Sequence, residues 1–152
     1  MKLALKVIPP VQLGICASLM FGLAYYFPQS HFALPFSFIL IIFLLAIASI
    51  IGVLALYDFH KHKTTYHPHT PEKTSTVVDS GIYAYSRNPM YLALVLVLFA
   101  LALYLKNFIC FAVIPLFIYY ITRYQIKPEE EMLNKLFPID YHVYSQKVRR
   151  WL

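Results

Sequence analysis

Two polar clusters in a largely apolar chain hold the side chains with the means to do chemistry. The first is Ser80-Gly81-Ile82-Tyr83-Ala84-Tyr85-Ser86-Arg87-Asn88-Pro89-Met90-Tyr91. Proline fits the first turn of a helix and biases the residue before it toward an extended backbone, so a helix is expected to start near Pro89. Its first backbone N–H groups lack partners within the helix and can hold an anionic group, with the Arg87 fork beside them. The second cluster is Lys127-Pro128-Glu129-Glu130-Glu131-Met132-Leu133, whose carboxylates can hold a cation. Local physics serves a plain reading of each cluster as well. The first can be a capped helix start with Arg87 reaching to lipid phosphates, and the second an acidic first turn that complements the helix macrodipole. His60-x-His62 and His67-x-His69 carry metal-ligating groups but lack a Cys or Asp ligand set beside them. Solvated or headgroup-contacting histidines are expected there, and no metal is assigned.

The elements that must position these clusters are membrane helices. Of 152 residues, 60% are hydrophobic and 13% charged, with four glycines, too little polar surface to cover a soluble domain. The expected fold is all-α, a polytopic membrane protein with about four transmembrane helices and a C-terminal amphipathic interfacial helix. One membrane domain over 1–152 divides into two N-terminal spans (1–57), a cytoplasmic loop (58–89), a helical hairpin (90–123) and a cytoplasmic tail (124–152). The apolar runs cover about 7–27, 32–57, 90–105 and 108–122, the last two separated by Lys106-Asn107 alone. At roughly 20 apolar residues per crossing, the hairpin legs are short and need tilt or extension into their flanks.

Gly14, Ser18 and Gly22 share one face of the first run, and Ala48 and Gly52 one face of the second, so these two helices are expected to pack together. Cys16 and Cys110 fall inside apolar runs and are expected to be inert packing residues. Lys2 and Lys6 precede the first run without a small-x-small cleavage site, so that segment is expected to stay as an anchor. In the tail, Leu133, Phe137, Tyr141, Tyr144 and Val148 recur at spacings of three and four, one stripe of an amphipathic helix that Pro138 should split in two. Placing both termini and the long loop on one side collects every Lys and Arg there except Lys106, and the positive-inside rule makes that side cytoplasmic. The expected location is a bacterial or archaeal inner membrane. The basic surroundings (Lys61, Lys63, Lys147, Arg149, Arg150) suit anionic headgroups, and no nucleic-acid partner is expected.

In order, Thr-Ser-Thr-Val-Val-Asp-Ser-Gly-Ile-Tyr at 74–83, Arg87-Asn88-Pro89-Met90-Tyr91 and Glu129-Glu130-x-x-Leu133-x-x-x-Phe137-x-x-x-Tyr141-x-x-Tyr144, closing in Val148-Arg149-Arg150-Trp151, make a set more specific than any part. That set, over 73–152, resembles the isoprenylcysteine carboxyl methyltransferase family and the related phospholipid methyltransferases. The resemblance implies S-adenosylmethionine as methyl donor. It implies a cofactor site built from Tyr83, Arg87, Asn88, Tyr91, Glu129 and Glu130, with Arg87 and Asn88 as the candidate catalytic residues. Two positions depart from the pattern: Asn88 stands where the family most often has His, which removes a titratable group, and Pro138 follows Phe137 where relatives usually have Gly.

Methyl transfer from a sulfonium is an in-line displacement that asks for alignment and exclusion of water more than for acid–base chemistry. Glu129 or Glu130 suits the donor's ammonium or ribose hydroxyls, and Arg87 suits a carboxylate of donor or acceptor. With no evident base, a carboxylate on an apolar, isoprenoid-like, lipid-like or prenylated acceptor fits better than an ammonium, which must first lose a proton. Two readings of other classes compete: a nicotinamide-dependent membrane reductase relative, usually a much longer chain, and a non-catalytic or metal-handling membrane protein that retains the fold.

Overall fold

The computed structural model describes residues 8–61 and 77–152. His62, Lys63, His67, His69 and the Thr74-Ser75-Thr76 part of the resemblance lie outside the described residues. Among the described residues six α-helices follow in order: α1 (Pro9–Tyr26), α2 (Ser37–Lys61), α3 (Pro89–Leu105), α4 (Val113–Ile121), α5 (Lys127–Leu136) and α6 (Pro138–Lys147). Prolines mark several starts. Pro9, Pro89 and Pro138 each occupy a first-turn position, where the missing N–H costs nothing. The fold is all-α, and among the described residues the single β-type contact is an isolated bridge between His31 and Asn107.

That bridge fixes the topology. Phe32 N–H donates to the Lys106 carbonyl at 2.9 Å, and Asn107 Nδ2 donates to the Phe27 carbonyl at 2.8 Å. The turn between α1 and α2 therefore meets the turn between α3 and α4 at one end of the bundle. Asn107 is fully buried, and its Oδ1 also accepts from Ile109 N–H at 3.0 Å, so one side chain joins both turns. Lys106 adopts a left-handed backbone (φ 49°) to close α3. Asp58, Pro89 and the helix ends that carry the charge lie at the other end.

Among the described residues, two helices are long and apolar enough to cross a membrane. Ser37–Lys61 has a mean hydropathy of 3.2, and the continuous helix Phe108–Leu136 has 1.5; Pro89–Leu105 is apolar but shorter. Only 11% of the α2 window is buried inside the protein, so most of its apolar surface has to be covered from outside, as lipid does. Such a surface suits a lipid environment.

The core gathers Met20 from α1, Val95, Leu98 and Ala102 from α3, and Val113, Ile114, Phe117 and Ile121 from α4 and its approach. Buried Ala93, Ala100 and Ala102 make α3 the helix that neighbours can approach closely. This corrects the expected pairing of small-residue faces. The α2 face formed by Ala48, Gly52 and Ala55 lies on α3, where a Cβ on Gly52 would stand 3.9 Å from the Ala93 Cβ. Gly14 and Gly22 of α1 have nothing within 4 Å of where a Cβ would sit. Cys110 packs in the core and donates to the Met20 carbonyl at 3.3 Å, while Cys16 is half-buried.

Between α4 and α5 the backbone widens into a π-helical stretch over Thr122–Ile126. One extra residue rotates everything after it by about 100° relative to an unbroken α-helix. The tail breaks where the sequence suggests, with α5 ending at Leu136 and α6 starting at Pro138. The whole expected stripe (Leu133, Phe137, Tyr141, Tyr144 and Val148) meets in one cluster together with Val77. Helix α2 continues through Lys61, past the expected boundary at 57, which puts Asp58 inside a helix rather than in a loop.

Candidate functional site

The turn before α3 is held from three directions. Ser86, nearly fully buried, accepts the Asn88 N–H on its Oγ at 3.1 Å and so shapes the step into Pro89. Arg87 N–H donates to the Arg149 carbonyl at 3.0 Å, and Asn88 Nδ2 donates to the Arg150 carbonyl at 2.9 Å. The irregular segment after α6 is thereby stitched onto the Arg-Asn-Pro step. A few residues earlier, Tyr144 hydroxyl donates to the Tyr83 carbonyl at 2.8 Å, tying α6 to the short 3-10 turn Gly81–Ala84.

The arginine-led turn and the paired glutamates are brought together. Arg87 Nη1 lies 3.1 Å from Glu130 Oε1 and donates to the Tyr141 hydroxyl at 3.0 Å. Arg150 grips the same carboxylate with both arms of its fork, Nε to Oε1 at 2.9 Å and Nη2 to Oε2 at 2.8 Å. Such bidentate pairs are among the strong hydrogen bonds of proteins. Glu130 is only 15% exposed, so water screens these contacts weakly. Its neighbour Glu129 has a different partner: the Tyr91 hydroxyl donates to Glu129 Oε1 at 2.7 Å. Among the described residues no cation pairs with Glu129.

Electrostatics follow from this packing. Burial pushes the hydroxyls of Tyr83, Tyr141 and Tyr144 above the ordinary tyrosine range, and nearby negative groups add to the effect at Tyr83. All three remain neutral at pH 7 and are not bases; the Tyr144 hydroxyl donates to the Tyr83 carbonyl, and the Tyr141 hydroxyl accepts from Arg87. The hydrogen bond to Glu130 raises Arg150 further and keeps it charged. Arg87 Nε is buried and has no hydrogen-bond partner among the described residues. A guanidinium N–H left unpaired at such depth is costly unless something else accepts from it.

The six residues singled out from the sequence therefore fall into three placements. Arg87 and Glu130 form one ion cluster, Tyr91 and Glu129 a hydrogen-bonded pair beside it, and Tyr83 and Asn88 hold the backbone around them. The Asn88 side chain is turned toward the C-terminal segment, where it meets the Arg150 carbonyl. Sequence reasoning gave no site role to Arg150, Tyr141 or Asp58. Arg150 finds Glu130 across 20 positions of sequence, a pairing that local spacing cannot reveal. A groove of about 630 Å³ opens alongside, between Asp79 and Ala84 on one wall and Asp140, Tyr144 and Lys147 on the other. None of the six residues lines it. Among the described residues, no three His, Cys, Asp or Glu side chains come together as a metal site.

Comparison with known proteins gives this geometry a context. A family model described as phospholipid methyltransferase matches residues 36–139, well over half of the chain and all six of these positions. Over 63 residues the chain is 44% identical to an uncharacterized protein of Haemophilus influenzae, covering 41% of this chain and the whole of that protein. No solved structure matches the chain.

Proposed function

The chain belongs to the phospholipid methyltransferase family, and from that premise we propose that it is a membrane methyltransferase that takes its methyl group from S-adenosylmethionine. The donor is assigned to the space between the Arg87-to-Tyr91 step and the Glu129-Glu130 pair. One observation carries this reading: the two segments meet through Arg87 and Glu130 while the buried Arg87 Nε has no partner among the described residues.

The residues present fit such a donor. A carboxylate supplies the acceptor that Arg87 Nε lacks, and an ammonium or ribose hydroxyl supplies a partner for Glu129 besides the Tyr91 hydroxyl. When bound, the donor supplies an electrophilic methyl on a sulfonium. The chain's own task is to orient and to exclude water. Glu130, held by two arginines, acts as the buckle that fixes Arg87, and Glu129 is the carboxylate left for the ligand. Asn88 holds the C-terminal segment over the step.

We read the acceptor as an apolar, lipid- or isoprenoid-like molecule that reaches the site from the bilayer and is methylated at a carboxylate. No tyrosine of the cluster is a phenolate at neutral pH, and a carboxylate needs no proton removed. An amine acceptor is the second reading, favoured by Glu129 alone, the one carboxylate of the pair without a cation beside it. The same reading takes the bundle as four spans with both ends and the site on the cytoplasmic side. It is supported by the meeting of the 27–32 and 106–107 turns at the far end, where Lys106 stands apart from the other basic residues.

The test is ligand binding by the purified chain in detergent. S-adenosylhomocysteine at one hundred times its Kd should stabilise the native state by about 2.7 kcal/mol and raise Tm by roughly 5–10 °C, whereas a nicotinamide dinucleotide or zinc should not. Labelled donor with vesicles containing either a lipid carboxylate or an aminophospholipid then separates the two acceptor readings. A response to the dinucleotide or to zinc alone would defeat the proposal.

A further inference from the structure

Asp58 sits in the last turn of α2 at 8% exposure, a poor place for a carboxylate. It has left water, and it stands at the negative end of its helix. Its oxygen is spent across the chain. Asp58 Oδ2 accepts the Ile82 N–H at 2.9 Å, at the first turn of the Gly81–Ala84 segment. Gly81 makes the approach possible: its backbone is left-handed (φ +61°), and any Cβ there would overlap the Asp58 carboxylate. The next residue of α2, Phe59, meets the Tyr83 ring edge to face, with centroids 5.2 Å apart and planes at 89°. From the opposite side the Tyr144 hydroxyl holds the Tyr83 carbonyl. The turn is thus gripped between α2 and α6, and the α2 grip is a buried carboxylate.

We propose that Asp58 is a positioning residue for the donor site: by accepting the Ile82 N–H it fixes the Gly81–Ala84 turn, and through that turn the Tyr83 ring. The inference rests on the donor-site assignment made above. It gives the N-terminal half of the chain a part in donor recognition, whereas every residue assigned so far lies in the C-terminal half. A carboxylate that merely braced the fold would loosen both substrates alike when removed. A positioning carboxylate loosens the donor selectively.

The experiment measures donor and acceptor KM, kcat and Tm for the full chain in lipid nanodiscs. Asp58→Ala should raise donor KM about tenfold, the cost of leaving the half-buried Ile82 N–H unmet, with acceptor KM within about twofold. Asp58→Asn keeps a carbonyl oxygen for the Ile82 N–H and should recover most of that loss. Asp58→Glu keeps the charge but moves the oxygen, and should not. In a Tyr83→Leu background, Asp58→Ala should raise donor KM little further. The proposal is overturned if Asp58→Ala leaves donor KM unchanged, if both KM values rise together, if Asp58→Glu outperforms Asp58→Asn, or if the effects of Asp58 and Tyr83 simply add. If Asp58→Ala does not fold, the order of the Asn and Glu variants decides alone. The wild-type control separates the two ideas, since a wild-type chain that binds no donor defeats the functional reading itself. One that binds donor normally while the variants misbehave as described defeats only the role of Asp58.

Discussion

Removing the Glu130 carboxylate should cost more than removing either arginine that holds it, and the difference can be worked from the contacts. Glu130→Ala takes away three close N···O contacts, from Arg87 at 3.1 Å and from Arg150 at 2.9 and 2.8 Å. It also leaves two guanidinium groups facing one another, with Arg87 only 13% exposed. Breaking a buried pair from one side costs about 3–5 kcal/mol, and Arg150 at 34% exposure regains part of its share from water, which lowers the expectation to about 2–4 kcal/mol. Arg150→Ala leaves Glu130 still paired with Arg87 and should cost about 1–2 kcal/mol. At about 2–4 °C of Tm per kcal/mol for a chain of this size, Glu130→Ala should melt roughly 4–16 °C low and Arg150→Ala roughly 2–8 °C low. In the double variant Arg150 has no carboxylate left to lose, so the two effects should not add, with a coupling of about 1–2 kcal/mol. Thermal melts in one detergent, with acceptor and donor absent, read all four proteins. Additive losses, or a Glu130→Ala protein that melts within a degree of wild type, would refute the shared-carboxylate reasoning.

The far end of the bundle offers an independent check, because the fold there owes nothing to donor binding. Asn107→Ala removes the bonds to the Phe27 carbonyl and from Ile109 N–H at a fully buried position, and should cost about 2–4 kcal/mol in thermal melts, with donor KM of the folded protein unchanged. Gly14→Ala and Gly22→Ala, with open space around the added methyl, should leave Tm equal or slightly raised; a drop of several degrees would show a neighbour packed on that face.

What could be read from the sequence followed from periodicity and from proline. The start of α3 at Pro89, the break at Pro138 and the stripe from Leu133 to Val148 are local patterns, each enforced by a backbone restriction or a helical repeat. The pairing of helices was not legible. Gly14, Ser18 and Gly22 form as good a small-residue face as Ala48 and Gly52, yet α2 lies on α3, because a stripe states that a close approach is possible and not which helix makes it. The end of α2 was misplaced for a similar reason. Asp58 reads as the start of a polar loop, since a carboxylate is seldom buried at a helix C-terminus, and the Ile82 N–H that it meets there lies 24 residues later. Arg150 looked like one more basic residue at a membrane surface until its fork met Glu130.

The same contacts bear on how much of the chain makes the site. The family match ends at 139, within the first turn of α6. Yet the Arg87 N–H, the Asn88 side chain and the Glu130 carboxylate all find partners at 149 and 150, and Tyr141 and Tyr144 hold Arg87 and Tyr83. Buried donors and a buried carboxylate without those partners would each carry a desolvation penalty of about 1–3 kcal/mol. Several such penalties together exceed what a marginally stable helical bundle can absorb. The residues that follow the matched region therefore belong to the same packed unit, because the arginine-led turn and the glutamate pair hold their geometry only while the C-terminal segment satisfies them.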